Sequence, residues 1–136
     1  MAEYLDNAIK QVFRDKPKDE IKIMDAGAGT GMVGVELSKL GYTNLHALDI
    51  SQEMLDEAKK KNLYKKTNCA ALSDQRIPEI ETGEFDALIC CATLVQGHAR
   101  PTAFLEMIRM VKIGMFLLQQ CNAEVSYQFK HIVNNL

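Results

Sequence analysis

A glycine cluster set between a strand-length run and a helix-length run constrains this chain more than any other feature. Ile21 to Ala26 reads as a short strand, and Gly27-Ala28-Gly29-Thr30-Gly31 follows at once. Met32 to Leu40 then carries helical spacing, with Gly41 as its stop. Glycines let the backbone turn tightly and bring a ligand against main-chain atoms. The first amides of the following helix lack intrahelical partners and lie at its positive end, which favours an anionic group.

The rest of the chain repeats the alternation. Tyr4 to Phe13 has apolar residues at helical spacing, and Pro17 with its charged neighbours ends that helix. Asn44 to Ile50 is the next strand, and Ser51 is a good N-cap for a helix to about Lys61. Tyr64 to Leu72 holds a weaker strand, and Pro78 to Gly83 is loop. Phe85 to Ala92 is a nearly continuous apolar run, as expected for a strand covered on both faces. Pro101 opens another helix through about Met110, Gly114 ends that connection, and Met115 to Gln119 is a further strand. Glu124 to Asn134 has the pattern of a final helix. Strands alternating with helices predict an α/β protein: a mostly parallel sheet with helices on both faces.

Length and charge narrow the possibilities. The 136 residues suffice for one domain, 1–136, and for a core without metal or disulfide staples. A net charge of -2 gives no general attraction to nucleic acid or an anionic membrane. No apolar run approaches the roughly 20 residues of a membrane helix. The N-terminal Met1-Ala2-Glu3-Tyr4 does not resemble a secretory leader. Cys69, Cys90, Cys91 and Cys121 form no CxxC pair, so the expectation is buried, reduced thiols in a cytoplasmic protein, with no metal site. Lys59, Lys60, Lys61, Lys65 and Lys66 form a basic cluster without interleaved aromatics, and read as a solvated helix end.

Eighteen residues after Gly31 stands Asp49, near the end of the second strand. A carboxylate there suits two neighbouring ribose hydroxyls, because it accepts both hydrogens in charge-assisted bonds. Glycine loop and acid together point to a nucleoside cofactor at the C-terminal ends of the strands. Gly29-Thr30-Gly31-Met32-Val33-Gly34 is also a literal GxGxxG, the dinucleotide fingerprint. That reading leaves Asp25 and Gly27 unexplained and sets a carboxylate beside a pyrophosphate. A cofactor with a cationic amino acid tail suits Asp25 better.

These residues resemble the class I S-adenosylmethionine-dependent methyltransferase family. Asp25-Ala26-Gly27-Ala28-Gly29-Thr30-Gly31 is similar to its glycine-rich signature, and Leu48-Asp49-Ile50-Ser51-Gln52-Glu53-Met54-Leu55 to its second signature. Phe85-Asp86-Ala87-Leu88-Ile89 resembles its fourth strand. Arg109-Met110-Val111-Lys112-Ile113-Gly114 resembles its R-V-x-K-P-G-G turn, with Ile113 in place of Pro and Met115 in place of the second Gly. The resemblance implies a Rossmann-like three-layer α/β/α sandwich binding S-adenosylmethionine. Asp25 and the backbone of Gly27, Gly29 and Gly31 would hold the methionine part, and Asp49 the ribose. Ile50 and Met54 would pack on the adenine, with the main chain near Ala71 and Leu72 reading its edge. The main chain near Cys91 would approach the methionine amino group. Many members carry an acid after the third strand; Cys69-Ala70-Ala71-Leu72 supplies none, unless Asp74 reaches in. Complete members also have a covering N-terminal segment and a C-terminal β-hairpin. This chain begins close to its first helix and stops before that hairpin, so the resemblance implies a domain shortened at both ends. An exposed sheet edge, and a homodimer formed through it, would follow.

Methyl transfer is an in-line displacement governed by positioning, so no dedicated base is required. His98, in the loop after the fourth strand, is the candidate proton acceptor and the one candidate catalytic residue. The [DN]-P-P-[YFW] motif of methylation at base amino groups is missing, and the expected acceptor is a small molecule or a protein rather than nucleic acid. Two other readings stand beside this one: a non-catalytic cofactor-binding or regulatory protein, and an NAD(P)-binding oxidoreductase.

Overall fold

A computed structural model describes residues 2–91 and 103–120, with side chains described as far as residue 112. His98, the start of the helix at Pro101, and the helix expected over Glu124–Asn134 lie outside the described residues. Helix α1 (Ala2–Val12) buries Ala2, Leu5, Ala8 and Ile9, the stripe its spacing predicts. Strand β1 (Ile23–Ala26) is buried at every position. Helix α2 (Met32–Lys39) follows the glycine loop. It closes where Gly41, at φ 99°, lets the Tyr42 amide reach the Leu37 carbonyl at 3.1 Å and the Gly41 amide reach Ser38 at 3.0 Å. Strand β2 (Leu45–Asp49) leads to α3 (Gln52–Lys59). As the sequence predicts, the Ser51 hydroxyl accepts the Met54 amide at 3.3 Å, a cap of about 1 kcal/mol. Strands β3 (Tyr64–Cys69) and β4 (Phe85–Cys91), helix α4 (Ala103–Met110) and strand β5 (Val111–Gln120) complete the described fold.

The five strands form one sheet in the order β3-β2-β1-β4-β5, every pair parallel. Two cores sandwich it. On one face, Leu5 and Ile9 of α1 and Leu37 of α2 pack on Ile23, Leu45, Ala87 and Ile89, while Leu55 of α3 packs on Ala47. On the other, Met107 and Met110 of α4, with Leu72, Ile77 and Ile80 of the β3–β4 connection, pack on Met24, Leu48 and Leu88. This is the expected three-layer α/β/α sandwich with a Rossmann-like sheet. Strand order runs one way from β1 through β2 to β3 and the other way through β4 to β5. A crevice therefore opens beyond the C-terminal ends of β1 and β4.

Three details depart from the sequence reading. The stretch Arg109 to Gly114 is not a free-standing turn, because α4 passes directly into β5 at Val111. Phe85 pairs with Val111 and Ala87 with Phe116, so two steps along β4 match five along β5. The segment with Ile113 in place of Pro and Met115 in place of the second Gly is taken up as a bulge in the ladder. Cys69 is exposed on the edge strand β3 rather than buried, whereas Cys90 is buried in the core. Lys61 is not merely a solvated helix end, since its ammonium donates to the Thr30 carbonyl of the glycine loop. Lys59 and Lys60 do follow expectation, exposed and paired with Asp56 and Glu57. Among the described residues no helix is long and apolar enough to cross a membrane.

Candidate cofactor site

The glycine loop and Asp49 face each other in direct contact. Gly27, Gly29 and Gly31 all have positive φ, at 73°, 55° and 90°. Side chains with a Cβ rarely adopt that conformation, which is why the loop needs glycine at these three places. The amides of Gly27 and Ala28 both reach the Leu48 carbonyl, at 2.7 and 3.1 Å. The Gly29 amide donates to Asp49 Oδ2 at 2.8 Å, and the Ser51 amide donates to Asp49 Oδ1 at 2.9 Å. The carboxylate is thus fixed by one amide from the loop and one from the head of α3. An ionised carboxylate has roughly four acceptor positions, so each oxygen of Asp49 keeps one for a further donor.

Asp25 lies one strand over, at the level of Ala47 on β2 and Ile89 on β4. It is only 1% exposed. Oδ2 accepts the Tyr64 hydroxyl at 2.6 Å, and Oδ1 has no hydrogen-bond partner among the described residues. Burial pushes its carboxyl up to about 6, against the opposing bond from Tyr64 and with help from the nearby Asp49 charge. An unsatisfied buried carboxylate oxygen is costly unless a ligand supplies a donor. At the end of β4 the Cys91 thiol is pushed up to about 12, chiefly by burial and then by Asp25, and it stays protonated at neutral pH.

The other expected residues differ in exposure. Ile50 and Met54 are 73% and 46% exposed, so Met54 is not core packing of an amphipathic helix. Ala71 is exposed, while the Leu72 side chain is buried in the core on the α4 face, leaving its main chain for any contact. Asp74 is exposed. His98 lies outside the described residues. Sequence reasoning missed Tyr64, whose hydroxyl bonds Asp25 and whose ring packs against Gly34. A Cβ on Gly34 would stand 2.3 Å from that hydroxyl. Gly34, the last glycine of the GxGxxG run, was the available signal, and it fits a bulky neighbour rather than a pyrophosphate.

Fold and site together define a class. A family model described as a methyltransferase domain matches residues 23–114, and the chain belongs to that family. Methyltransferase-like protein 27 of Homo sapiens is 33% identical over 114 residues, covering 84% of this chain and 46% of that protein. A SAM-dependent methyltransferase from Aquifex aeolicus shares the fold at TM-score 0.60 and 21% identity, over 87% of this chain and 69% of that one. The plantazolicin methyltransferase BpumL, solved in complex with SAH, matches at TM-score 0.69 and 17% identity, over 88% of this chain and 45% of that one. The chain spans less than half the length of the curated relatives it matches.

Proposed function

We propose that this chain binds S-adenosylmethionine and transfers its methyl group to a small-molecule or protein acceptor. The observation that carries the reading is the pair of carboxylates at the switch point of the sheet: Asp49 gripped by the glycine loop, and Asp25 buried beside it with Oδ1 unpartnered. Asp25 fits a cationic amino group, which supplies the missing donor and offsets the buried charge. It does not fit a pyrophosphate, which counts against the dinucleotide reading. The backbone of Gly27, Gly29 and Gly31 would line the methionine part, and α2 begins at Gly31 without a side-chain cap, leaving amides for a carboxylate. Asp49 would take the two ribose hydroxyls on its remaining acceptor positions. Ile50 and Met54, already solvent-facing, would cover the adenine, with the main chain of Ala71 and Leu72 at its edge and that of Cys91 near the amino group.

When bound, the cofactor supplies an electrophilic methyl group on a sulfonium. The chain's own contribution is to hold that end of the site rigid, and His98 would accept a proton from the acceptor. Nucleic acid is not the proposed acceptor, and the proposed compartment is the cytoplasm. Pairing of two copies along the sheet edge at β5 is part of the same proposal.

Isothermal titration with S-adenosylmethionine and with its demethylated product tests the binding half. Both should bind, and Asp49→Ala should weaken them by about tenfold or more, the loss of charge-assisted bonds. Unchanged affinity in that variant would count against the ribose role. Transfer of labelled methyl to a fraction of cell extract tests the catalytic half. Binding without transfer to any fraction would leave a binding protein and remove the enzyme.

A further inference from the structure

Tyr64 begins the edge strand β3, yet its side chain crosses beneath the glycine loop to the central strand. Its ring fills the space a Cβ would need at Gly31 and Gly34, at 3.1 and 2.3 Å from its nearest atoms. Gly34 is the third residue of α2, whose cap Gly31 has no side chain to accept an amide. The Tyr64 hydroxyl end lies against Gly34 at that place. A phenol has one hydrogen to donate, and here it goes to Asp25 Oδ2 at 2.6 Å. Packed against the helix start, the phenol is thereby aimed at the carboxylate through one directed hydrogen bond.

We propose that Tyr64 is the positioning residue of the site: it occupies Asp25 Oδ2 and so leaves Oδ1 as the acceptor for the cationic end of the cofactor. The ligand in this statement rests on the function proposed above; the orientation of Asp25 does not. The groups around Asp25 make the donor matter. Asp49 on β2 opposes its ionisation, and Cys91 on β4 remains a neutral thiol beside it. On α2, Glu36 and Lys39 are exposed and paired with each other at 3.2 Å. Tyr64, on β3, is thus the side chain that favours the charged carboxylate, backed by the positive end of α2.

The full chain, free of ligand and labelled with carbon-13 at aspartate Cγ and tyrosine Cζ, reads this directly by NMR. The Asp25 signal should titrate near pH 6, and the Tyr64 Cζ signal should move with the same midpoint. In Tyr64→Phe the Asp25 midpoint should rise. Affinity for S-adenosylmethionine at pH 7 should fall about tenfold, and the pH at which affinity is half lost should rise with the carboxyl. An Asp25 midpoint unmoved in Tyr64→Phe would overturn the proposal. So would a wild-type Tyr64 signal blind to the Asp25 titration, a result available even if the variant does not fold. Joint titration with no S-adenosylmethionine binding at any pH would overturn the proposed cofactor and uphold the orientation of Asp25.

Discussion

At the scale of single residues, two buried groups oppose each other in pH. Asp25 is held up near 6 against an ordinary value of 3.8, so between those values the folded chain keeps a proton that the unfolded chain has lost. Stability from this residue is present at low pH and falls as pH rises to 6. His46 on β2 is 9% exposed, packed edge-on to Phe85 at 5.3 Å, and its Nδ1 has no partner among the described residues. Burial, and then Lys22, Lys66 and Lys65, lower its pKa to about 4. In the window up to 6.5 it is the unfolded chain that holds the extra proton, so stability rises with pH. Each effect amounts to roughly 3 kcal/mol over its whole range. Asp6, Asp86 and Glu106 have lowered values and contribute fully above pH 4.5, so they do not disturb the comparison. Urea unfolding of the ligand-free protein should therefore change by less than about 1 kcal/mol between pH 4.5 and 6. Asp25→Asn should expose the histidine, with stability rising by about 2 kcal/mol across that interval. A flat profile in Asp25→Asn would show that the two groups do not titrate as described.

At the scale of elements, Gly34 separates packing from propensity. Alanine at an exposed helical glycine stabilises by about 1 kcal/mol. At Gly34 its Cβ would meet Tyr64 Oη at 2.3 Å and Cζ at 2.6 Å, on a ring tied to Asp25. Gly34→Ala should instead destabilise by about 1–3 kcal/mol, read from the urea midpoint, and a gain would mean the ring moves freely. The same element shows what the sequence carried and what it did not. Periodicity and local chemistry made α1, the Ser51 cap of α3 and the glycine stop of α2 readable, because each depends on residues within a few positions. Gly27, Gly29, Gly31 and Asp49 were readable as a unit because a strand-turn-helix fixes their relation over a short span. Tyr64 was not, since its contact with Asp25 spans 39 positions and follows from strand order. The start of β5 was misread for a related reason: a three-residue excess in one strand is defined only against its partner.

At the scale of the molecule, the two ends of the sheet have different duties. Asp86, at the beginning of β4, accepts the Lys22 amide at 2.9 Å and the ammonium groups of Lys16 and Lys112 at 2.8 and 2.9 Å. It ties the approach to β1 and the start of β5 to the middle of the sheet, at the end opposite the carboxylate pair. Burial alone would raise its pKa, but these donors hold the carboxyl below its usual value. Asp86→Ala should cost about 2–4 kcal/mol, moderated because both lysines reach solvent. Titration calorimetry on the variant should find cofactor affinity within twofold of wild type; a larger change would mean the ends communicate. The opposite end carries a different consequence. Asp49 is bonded by two main-chain amides of the chain itself. The entropy of fixing that carboxylate is spent when the polypeptide collapses, so the nucleoside proposed for this site would meet a mould already cast.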